Sequence, residues 1–204
     1  MIVYVETNFL LELAYLQERC VSCAEILQMA KTGQIALALP AFSAAEARAT
    51  WHRRASERRE FHSALQTHIR EISRSEPFRS LRDQSRDVVA ALVAGAEESQ
   101  ERLETAIQAV ETDGTLIPLS GEIVKIARVY ELYLSLSPQD ALVLESVRSH
   151  AEKATGAKCF ITQDVKGFAN PSVYDELSAV DCKVLVNFDD AVAYIRNASD
   201  RRHS

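Results

Sequence analysis

The sequence predicts an α/β fold in which a parallel sheet of about five strands is covered by helices on both faces. Short apolar runs rich in Val, Ile and Leu alternate along the chain with segments whose apolar residues recur at helical spacing. Strands that alternate with helices pair in parallel, because each helix carries the chain back to the edge where the strands begin. With 204 residues, of which 47% are hydrophobic and 25% charged, the chain is long enough for a sizeable core, which excludes a disordered or fibrous protein.

Two strand–helix units open the chain. The run IVYV at 2–5 predicts the first strand, and the apolar residues of 9–27 recur at helical spacing. The sequence Lys-Thr-Gly at 31–33 is typical of a helix end. IALALP at 35–40 then predicts the second strand, ended by its proline, and Ser43 is the expected start of the next helix.

The middle of the chain, from about 44 to 112, contains helical spacing and no strand-like run. Its break is the sequence Ser-Glu-Pro at 75–77, where a proline interrupts the pattern. We therefore expect two long helices that lie antiparallel as a hairpin, inserted into the α/β fold at about 48–112.

The remaining elements follow the hairpin. Strands are predicted at 115–119, 158–161 and 182–186, and helices at 123–130, 138–154 and 189–196. Together they complete a single domain over 1–198, and the tail at 199–204 is expected to fray.

The charge balance and the cysteines exclude several classes of protein. Lys and Arg number 23 against 29 Asp and Glu, a formal net charge of -6, so affinity for a polyanion requires a local basic patch. The four cysteines are too sparse for a disulfide scaffold, and the single C-x-x-C at 20–23 lacks the further ligands of a zinc site. No apolar run approaches the roughly 20 residues that span a bilayer, and the first residues carry acids where a secretion signal carries Lys or Arg. We expect a soluble, cytoplasmic protein with no membrane segment.

Four acids lie near the predicted carboxyl ends of strands. Glu6 follows the first strand, Glu46 lies early in the helix after the second, Asp140 opens the helix that leads to the strand at 158–161, and Asp164 lies just past that strand. These positions share one edge of a parallel sheet, where ligands bind, so we expect the acids to converge. Gathered carboxylates repel one another, which raises a pKa or requires a cation. Oxygen ligands without Cys or His suit Mg²⁺ or Mn²⁺, which can activate water for attack on a phosphodiester.

Each acid also has a structural interpretation. SAAE at 43–46 and SPQD at 137–140 match the S-x-x-[DE] capping box, in which the acid bonds back to the backbone N–H of the cap. Glu6 would cap the following helix, and Asp164 would stabilise the turn in TQDVKG at 162–167. Taken singly, each acid is better explained by structure than by catalysis, so the functional interpretation depends on the convergence of all four.

Four segments resemble, in chain order, the motifs of PIN-domain nucleases, in which the first motif is an acid followed by Thr-Asn at the end of strand one. The segments are YVETNFLLEL at 4–13, PAFSAAEA at 40–47, SPQDALVLESV at 137–147 and FITQDVKGF at 160–168. The resemblance covers about 1–48 and 113–190 of the chain. It implies a three-layer α/β/α fold with a Mg²⁺- or Mn²⁺-dependent ribonuclease site.

The resemblance also implies roles for individual residues. The expected metal ligands, or holders of the water at the metal, are Glu6, Glu46, Asp140 and Asp164. Asn8 and Thr162 fall on the family's supporting polar positions. Glu6 stands where the family usually has Asp, and a misplacement of about 1 Å can cost on the order of 10²-fold in rate. Many small members are toxins of VapC-type toxin–antitoxin pairs, so the resemblance implies a homodimer and an antitoxin-like partner.

The segment at 48–86 carries ten arginines, five acids and no lysine, within a chain of net negative charge. Guanidinium groups match phosphate oxygens well, and the segment begins beside the predicted acid site. We therefore expect RNA to be bound through Arg48, Arg53, Arg54 and Arg58. The alternative is a solvated helix whose charges pair at i,i+4 spacing, such as positions 53 and 57.

The sequence thus predicts a PIN-like, metal-dependent endoribonuclease. Two other functions are open. One is a catalytically weak PIN-like module that binds RNA or a protein, and the other is a metal-dependent phosphohydrolase of small substrates. The second is disfavoured because the chain has no Gly-rich phosphate loop such as G-x-x-x-x-G-K-[ST].

Overall fold

Five short strands form the sheet: β1 (Ile2–Tyr4), β2 (Ala36–Pro40), β3 (Gly114–Ile117), β4 (Lys158–Ile161) and β5 (Cys182–Leu185). All neighbours pair in parallel, in the order β3-β2-β1-β4-β5. The winding direction therefore reverses at β1, which opens a crevice at the carboxyl ends of β1 and its two neighbours.

Ten α-helices lie in the part of the chain that the computed structural model describes, which is residues 1–200, with side chains up to 198. They are α1 (Thr7–Tyr15), α2 (Cys20–Lys31), α3 (Ala41–Ile72), α4 (Leu81–Gln84), α5 (Arg86–Asp113), α6 (Gly121–Tyr133), α7 (Pro138–Lys153), α8 (Val165–Phe168), α9 (Pro171–Ser178) and α10 (Phe188–Asp200). A 3₁₀ turn, Glu76–Phe78, lies between α3 and α4. The tail that was predicted to fray, 199–204, begins within α10, which reaches residue 200. Its remaining residues, 201–204, lie outside the described part of the chain.

The helices differ from the prediction at three places. The segment at 9–27 contains two helices, because Leu16 adopts a left-handed conformation with φ of 49° and ends α1. α3 begins at Ala41, and Ser43 lies inside it. α8 and α9 were not predicted, although Asn170 caps α9 through its side chain and is followed by a proline, which is a normal start signal.

Side chains of the central strands alternate between two buried cores. Val3 and Val5 face the first core and Tyr4 faces the second, and β2 and β4 alternate in the same way. The first core is covered by α1, α2, α5, α10 and the start of α3, and the second by α6 to α9. Because helices cover both faces, the strands are apolar on both sides. The predicted three-layer α/β/α fold is confirmed.

The base of the hairpin formed by α3 and α5 packs in the first core. The two helices are antiparallel, and the buried Trp51 Nε1 donates to Ser99 Oγ at 3.1 Å across them. Leu103 and Ile107 of α5 are buried in the first core, whereas side chains further out, such as Phe61, are exposed. The hairpin is therefore anchored in the α/β core rather than attached to its surface.

Three of the four cysteines lie in the interior. Cys23, Cys159 and Cys182 are free and buried among apolar side chains, as expected of packing thiols. Of the helices described up to residue 200, none has the combination of length and apolar character that crossing a membrane requires.

Truncation of a side chain at the base of the hairpin should destabilise the whole protein. Ile107 is 1% exposed, so we expect Ile107→Ala to lower the free energy of unfolding by about 2–5 kcal/mol. Ile72, at the outer end of α3, is 45% exposed and provides the matched control, for which we expect a change of about 0.5 kcal/mol or less. Urea unfolding of both variants measures the difference, and equal small effects would show that the hairpin base is not part of the core.

Candidate functional site

A cavity of about 250 Å³ opens at the carboxyl ends of β1, β2 and β4. Its lining contains all four acids singled out in the sequence: Glu6, Glu46, Asp140 and Asp164. The strand ends bring Glu6 and Asp164 to this edge, the second turn of α3 brings Glu46, and the first turn of α7 brings Asp140. The fold thus gathers acids that are up to 158 residues apart in the sequence, from position 6 to position 164.

Glu6 is buried and held on both carboxylate oxygens. Its Oε2 accepts from the backbone N–H of Asn8 at 2.9 Å, so Glu6 caps α1 as the structural interpretation predicted. Its Oε1 accepts from Asn8 Nδ2 at 2.9 Å and from Thr162 Oγ1 at 3.1 Å. Burial raises the pKa of Glu6 to about 7, against the opposing effect of these hydrogen bonds, and the nearby charge of Glu46 raises it further.

Glu46 has no capping role. α3 begins at Ala41, so the SAAE capping box predicted at 43–46 does not form. The Glu46 carboxylate instead accepts a hydrogen bond from Thr7 Oγ1. Burial raises the pKa of Glu46, and repulsion from Asp140 and Asp164 adds to the rise, while the bond from Thr7 opposes it.

Asp140 does take part in the predicted capping box. Ser137 Oγ accepts from the backbone N–H of Asp140 at 3.1 Å and donates to Asp140 Oδ2 at 2.6 Å. Burial raises the pKa of Asp140, and the charge of Asp164 acts in the same direction, whereas the bonds from Ser137 lower it.

Asp164 caps α8 with one oxygen, and its other oxygen lies near the Asp140 carboxylate. Its Oδ1 accepts from the backbone N–H groups of Lys166 and Gly167, both at 3.0 Å. A Cβ atom placed on Gly167 would lie 2.9 Å from Asp164 Oδ2 and 2.9 Å from Asp140 Oδ2. The two carboxylate oxygens therefore lie no more than twice this distance apart and border a point that only glycine leaves open.

This arrangement fits a hydrated divalent ion better than a closed metal cage. Among the described residues, no group of three or more His, Cys, Asp or Glu side chains is arranged to hold a metal ion by itself. Mg²⁺ is usually bound through one or two carboxylates, with water and substrate phosphate completing its shell. Asp140 and Asp164 supply such a pair, and in residues 1–198 neither forms an ion pair with a cationic side chain. Glu6 fits less well as a direct ligand, because both its oxygens already accept hydrogen bonds.

The arginines expected to bind RNA occupy different surroundings. Arg53 and Arg54 line the acid cavity, and Arg58, one turn further along α3, lies outside it. Arg53 also pairs with Glu57 at 3.2 Å, so the predicted i,i+4 pairing is present on the same helix face. This exposed pair contributes little to stability and leaves Arg53 able to contact a ligand in the cavity.

Arg48 lies away from the cavity and joins the two helices of the hairpin. Its Nε donates to Glu104 Oε1 of α5 at 3.0 Å, and the other nitrogen of the fork pairs with Glu104 Oε2. The predicted RNA contact of Arg48 stays a prediction, whereas its ion pair with Glu104 is part of the fold.

Two residues that contact or adjoin the acids were not singled out in the sequence. Thr7 orients Glu46, and Gly167 leaves room for the two aspartates. Both lie within the segments that resemble PIN-domain motifs, next to Glu6 and shortly after Asp164. In the sequence, only their closeness to Glu6 and Asp164 marks Thr7 and Gly167. The tertiary contacts are what distinguish these two from the other residues of the motifs.

In the absence of divalent ions, Glu6 should make the protein less stable as the pH rises. Because the pKa of Glu6 is raised from 4.5 to about 7, the folded chain keeps a proton that the unfolded chain releases between those values. The contribution of Glu6 to stability is therefore present below about pH 4.5 and lost as the pH rises through about 7. We expect a loss on the order of 1–3 kcal/mol in EDTA, measured by urea unfolding at pH 5 and pH 8.

Glu6→Gln provides the control for this prediction, because its side chain cannot ionise. Between pH 5 and pH 8, the free energy of unfolding of wild type should fall relative to that of Glu6→Gln. A difference that is the same at both pH values would contradict the raised pKa.

The comparisons with known proteins agree with the geometry of this site. A family model described as a PIN domain matches residues 3–168, which is well over half of the 204-residue chain and contains all four acids. No curated protein and no solved structure gives a significant match. The five-stranded parallel sheet with helices on both faces is the nuclease-like fold expected of such a domain. The chain therefore belongs to the PIN-domain family.

Proposed function

We propose that the protein is a divalent-metal-dependent endoribonuclease, which hydrolyses phosphodiester bonds of RNA with Mg²⁺ or Mn²⁺ bound at the acid cavity. The proposal is carried by one observation: four acids line one cavity, and oxygens of Asp140 and Asp164 both lie 2.9 Å from the position that a Cβ atom on Gly167 would occupy. Membership of the PIN-domain family supports nuclease chemistry in general.

The roles proposed for the two aspartates follow from the position of their Oδ2 oxygens beside Gly167. Asp140 and Asp164 would hold the ion, whose chemical contribution when bound is to activate water and to neutralise charge on the phosphodiester. Ser137 and the N-terminus of α8 fix the two carboxylates, so they need little reorganisation when an ion and a substrate arrive.

Glu46 is the proposed proton acceptor. Burial and the repulsion from Asp140 and Asp164 raise the pKa of Glu46, which brings it closer to the neutral range where a general base is most effective. Thr7 orients its carboxylate. In the proposed step, water attacks phosphorus and passes a proton to Glu46. The bond from phosphorus to the leaving ribose oxygen breaks, and that oxygen keeps the electron pair and takes a proton from solvent water.

Glu6, Asn8 and Thr162 form the supporting part of the proposed site. Asn8 and Thr162 hold Glu6, and Thr162 Oγ1 also accepts from the backbone N–H of Asp164 at 2.9 Å. This chain of bonds links the first acid to the fourth, so Glu6 would position Asp164 and the attacking water rather than bind the ion directly.

RNA is the proposed substrate because cations stand beside the acids. Arg53 and Arg54 line the same cavity as the carboxylates and would contact phosphate oxygens flanking the reacting one.

A cytoplasmic location, a homodimer and an antitoxin-like protein partner are further proposals, which rest on the sequence and the family resemblance. Light scattering of the purified chain tests the dimer.

One observation favours a second function, a catalytically weak module that binds RNA. Both oxygens of Glu6 are occupied by hydrogen bonds, and Glu6 is the residue that replaces the family's usual Asp. The two functions differ in whether the acids are needed for Mn²⁺-dependent cleavage.

Asp140→Asn should abolish most RNA cleavage. Loss of the negative charge of one of these two carboxylates should lower kcat by about 10²-fold or more, measured with Mn²⁺ on a single-stranded RNA. Asp87→Asn is the matched control, because Asp87 is an exposed aspartate in the first turn of a helix outside the cavity, and it should retain wild-type activity. Equal residual activity in wild type and Asp140→Asn would favour the non-catalytic module.

Glu6→Asp tests whether the site has adapted to the longer side chain. Because Asn8 and Thr162 bind the carboxylate where Glu6 places it, we expect the shorter Asp to lower kcat, by up to about 10²-fold. The conservative change keeps the charge, so circular dichroism and urea unfolding should verify that the fold is retained. A rise in kcat would mean instead that Glu6 impairs an otherwise ordinary PIN-domain site.

A further inference from the structure

A second cavity of about 460 Å³ lies next to the acid cavity, between the end of α1 and the hairpin. Tyr15 of α1, Arg54 and Arg58 of α3, and Gly95 and Arg102 of α5 line it. Arg54 lines both cavities, so the two cavities adjoin at this side chain.

Two guanidinium groups in the second cavity are gathered on one aromatic ring. The Cζ atoms of Arg54 and Arg58 lie 5.0 Å and 5.1 Å from the centroid of the Tyr15 ring. Such contacts hold the planar groups in fixed positions and reduce the conformational entropy that is lost when a ligand binds. Tyr15 therefore acts as a platform that orients both arginines.

These two arginines have no anionic partner in the described part of the chain. Arg48 and Arg53, on the same helix, form ion pairs with Glu104 and Glu57, but no carboxylate pairs with Arg54 or Arg58. Two like charges held near one ring repel each other, and a bound anion relieves this repulsion. Within residues 1–198, Arg54 and Arg58 thus carry charges that no ion pair neutralises.

Arg102 adds a third cation from the opposite helix. Its Nε donates to the carbonyl oxygen of Ala14 at 2.9 Å, and its Nη1 pairs with Glu98 at 3.3 Å, so it is fixed beside the end of α1. The second cavity therefore presents cations from two helices that face each other across it.

We propose that the second cavity is a phosphate subsite that holds the RNA backbone next to the phosphodiester being cleaved. The proposal rests on the proposed ribonuclease function and adds that the enzyme binds more of the strand than the scissile bond. Planar guanidinium forks bind phosphate oxygens in pairs, and Arg54 bridges the subsite to the acid cavity. An acidic peptide is the less suitable ligand. If it extended into the acid cavity, its carboxylates would be repelled by the four carboxylates there, whereas the phosphates of RNA bind divalent ions held by those carboxylates.

Gly95 gives a direct way to test the subsite. A Cβ atom built on Gly95 has no heavy atom within 4 Å, so a longer side chain can enter the cavity without a clash. Gly95 lies within α5, where Glu and Gln are both better helix formers than glycine, so neither replacement should unfold the protein. Gly95→Glu introduces a negative charge, and Gly95→Gln introduces a side chain of the same size without charge.

The experiment measures binding of a fluorescein-labelled single-stranded RNA of about 12 nucleotides by the full chain, in EDTA and at fixed salt. We expect Gly95→Glu to raise Kd by roughly tenfold relative to Gly95→Gln. Arg58→Gln should raise Kd and reduce the salt dependence of binding, whereas Arg59→Gln, at the adjacent exposed position outside this cavity, should have a smaller effect.

Three binding results would overturn the assignment, and none of these three depends on the test of cleavage. Equal Kd values for Gly95→Glu and Gly95→Gln, or for Arg58→Gln and Arg59→Gln, would show that no phosphate is bound in the second cavity. Competition by a polyglutamate peptide as effective as unlabelled RNA would assign the cavity to an acidic protein partner. If wild type binds as expected but does not cleave RNA with Mn²⁺, the ribonuclease function fails, and with it the placement of the subsite beside a scissile bond.

Discussion

The repulsion among carboxylates in one cavity is the interaction on which the rest of the site depends. Glu6, Glu46 and Asp140 all have raised pKa values, with burial as the main cause and a neighbouring acid as a further one. Within the described residues none of these acids forms an ion pair. The fold tolerates this cost because the sheet, both cores and the hairpin base hold the acids in place. Such a cluster is stabilised by a divalent cation, which gives the chemical reason to expect one there.

Capping and convergence are not alternatives in this protein. Glu6, Asp140 and Asp164 each take part in local hydrogen bonds at the start of a helix, and each also lines the shared cavity. One oxygen of Asp164 caps α8 while the other lies near the Asp140 carboxylate, so the same side chain performs both roles. In a parallel α/β sheet, helices begin at the carboxyl ends of the strands, which is also the edge where ligands bind. An acid that caps such a helix therefore lies near the ligand-binding edge.

The hairpin connects the stability of the fold to its surface charge. Its inner residues, such as Trp51 and Ile107, complete the first core, so the position of the helices is fixed by packing. That packing in turn fixes where the arginines of α3 stand. Arg48 faces α5 and is neutralised by Glu104, while Arg54 and Arg58 face the end of α1 and stay unpaired. The same helix thus carries a structural arginine and two that are available to a ligand.

The sequence by itself determined the order of strands and helices, the parallel sheet, the antiparallel hairpin and the family. Apolar runs and helical spacing are local patterns, and they mark β1 to β5 and the long helices within a few residues. Short helices such as α8 and α9 escaped because four to eight residues give too little periodicity. Only the tertiary structure decided that Glu46 binds Thr7 instead of capping its helix, that Arg48 pairs with Glu104, and that Tyr15 orients Arg54 and Arg58. These contacts join residues from different elements, and their partners are set by the packing of helices on the sheet, which no local pattern records.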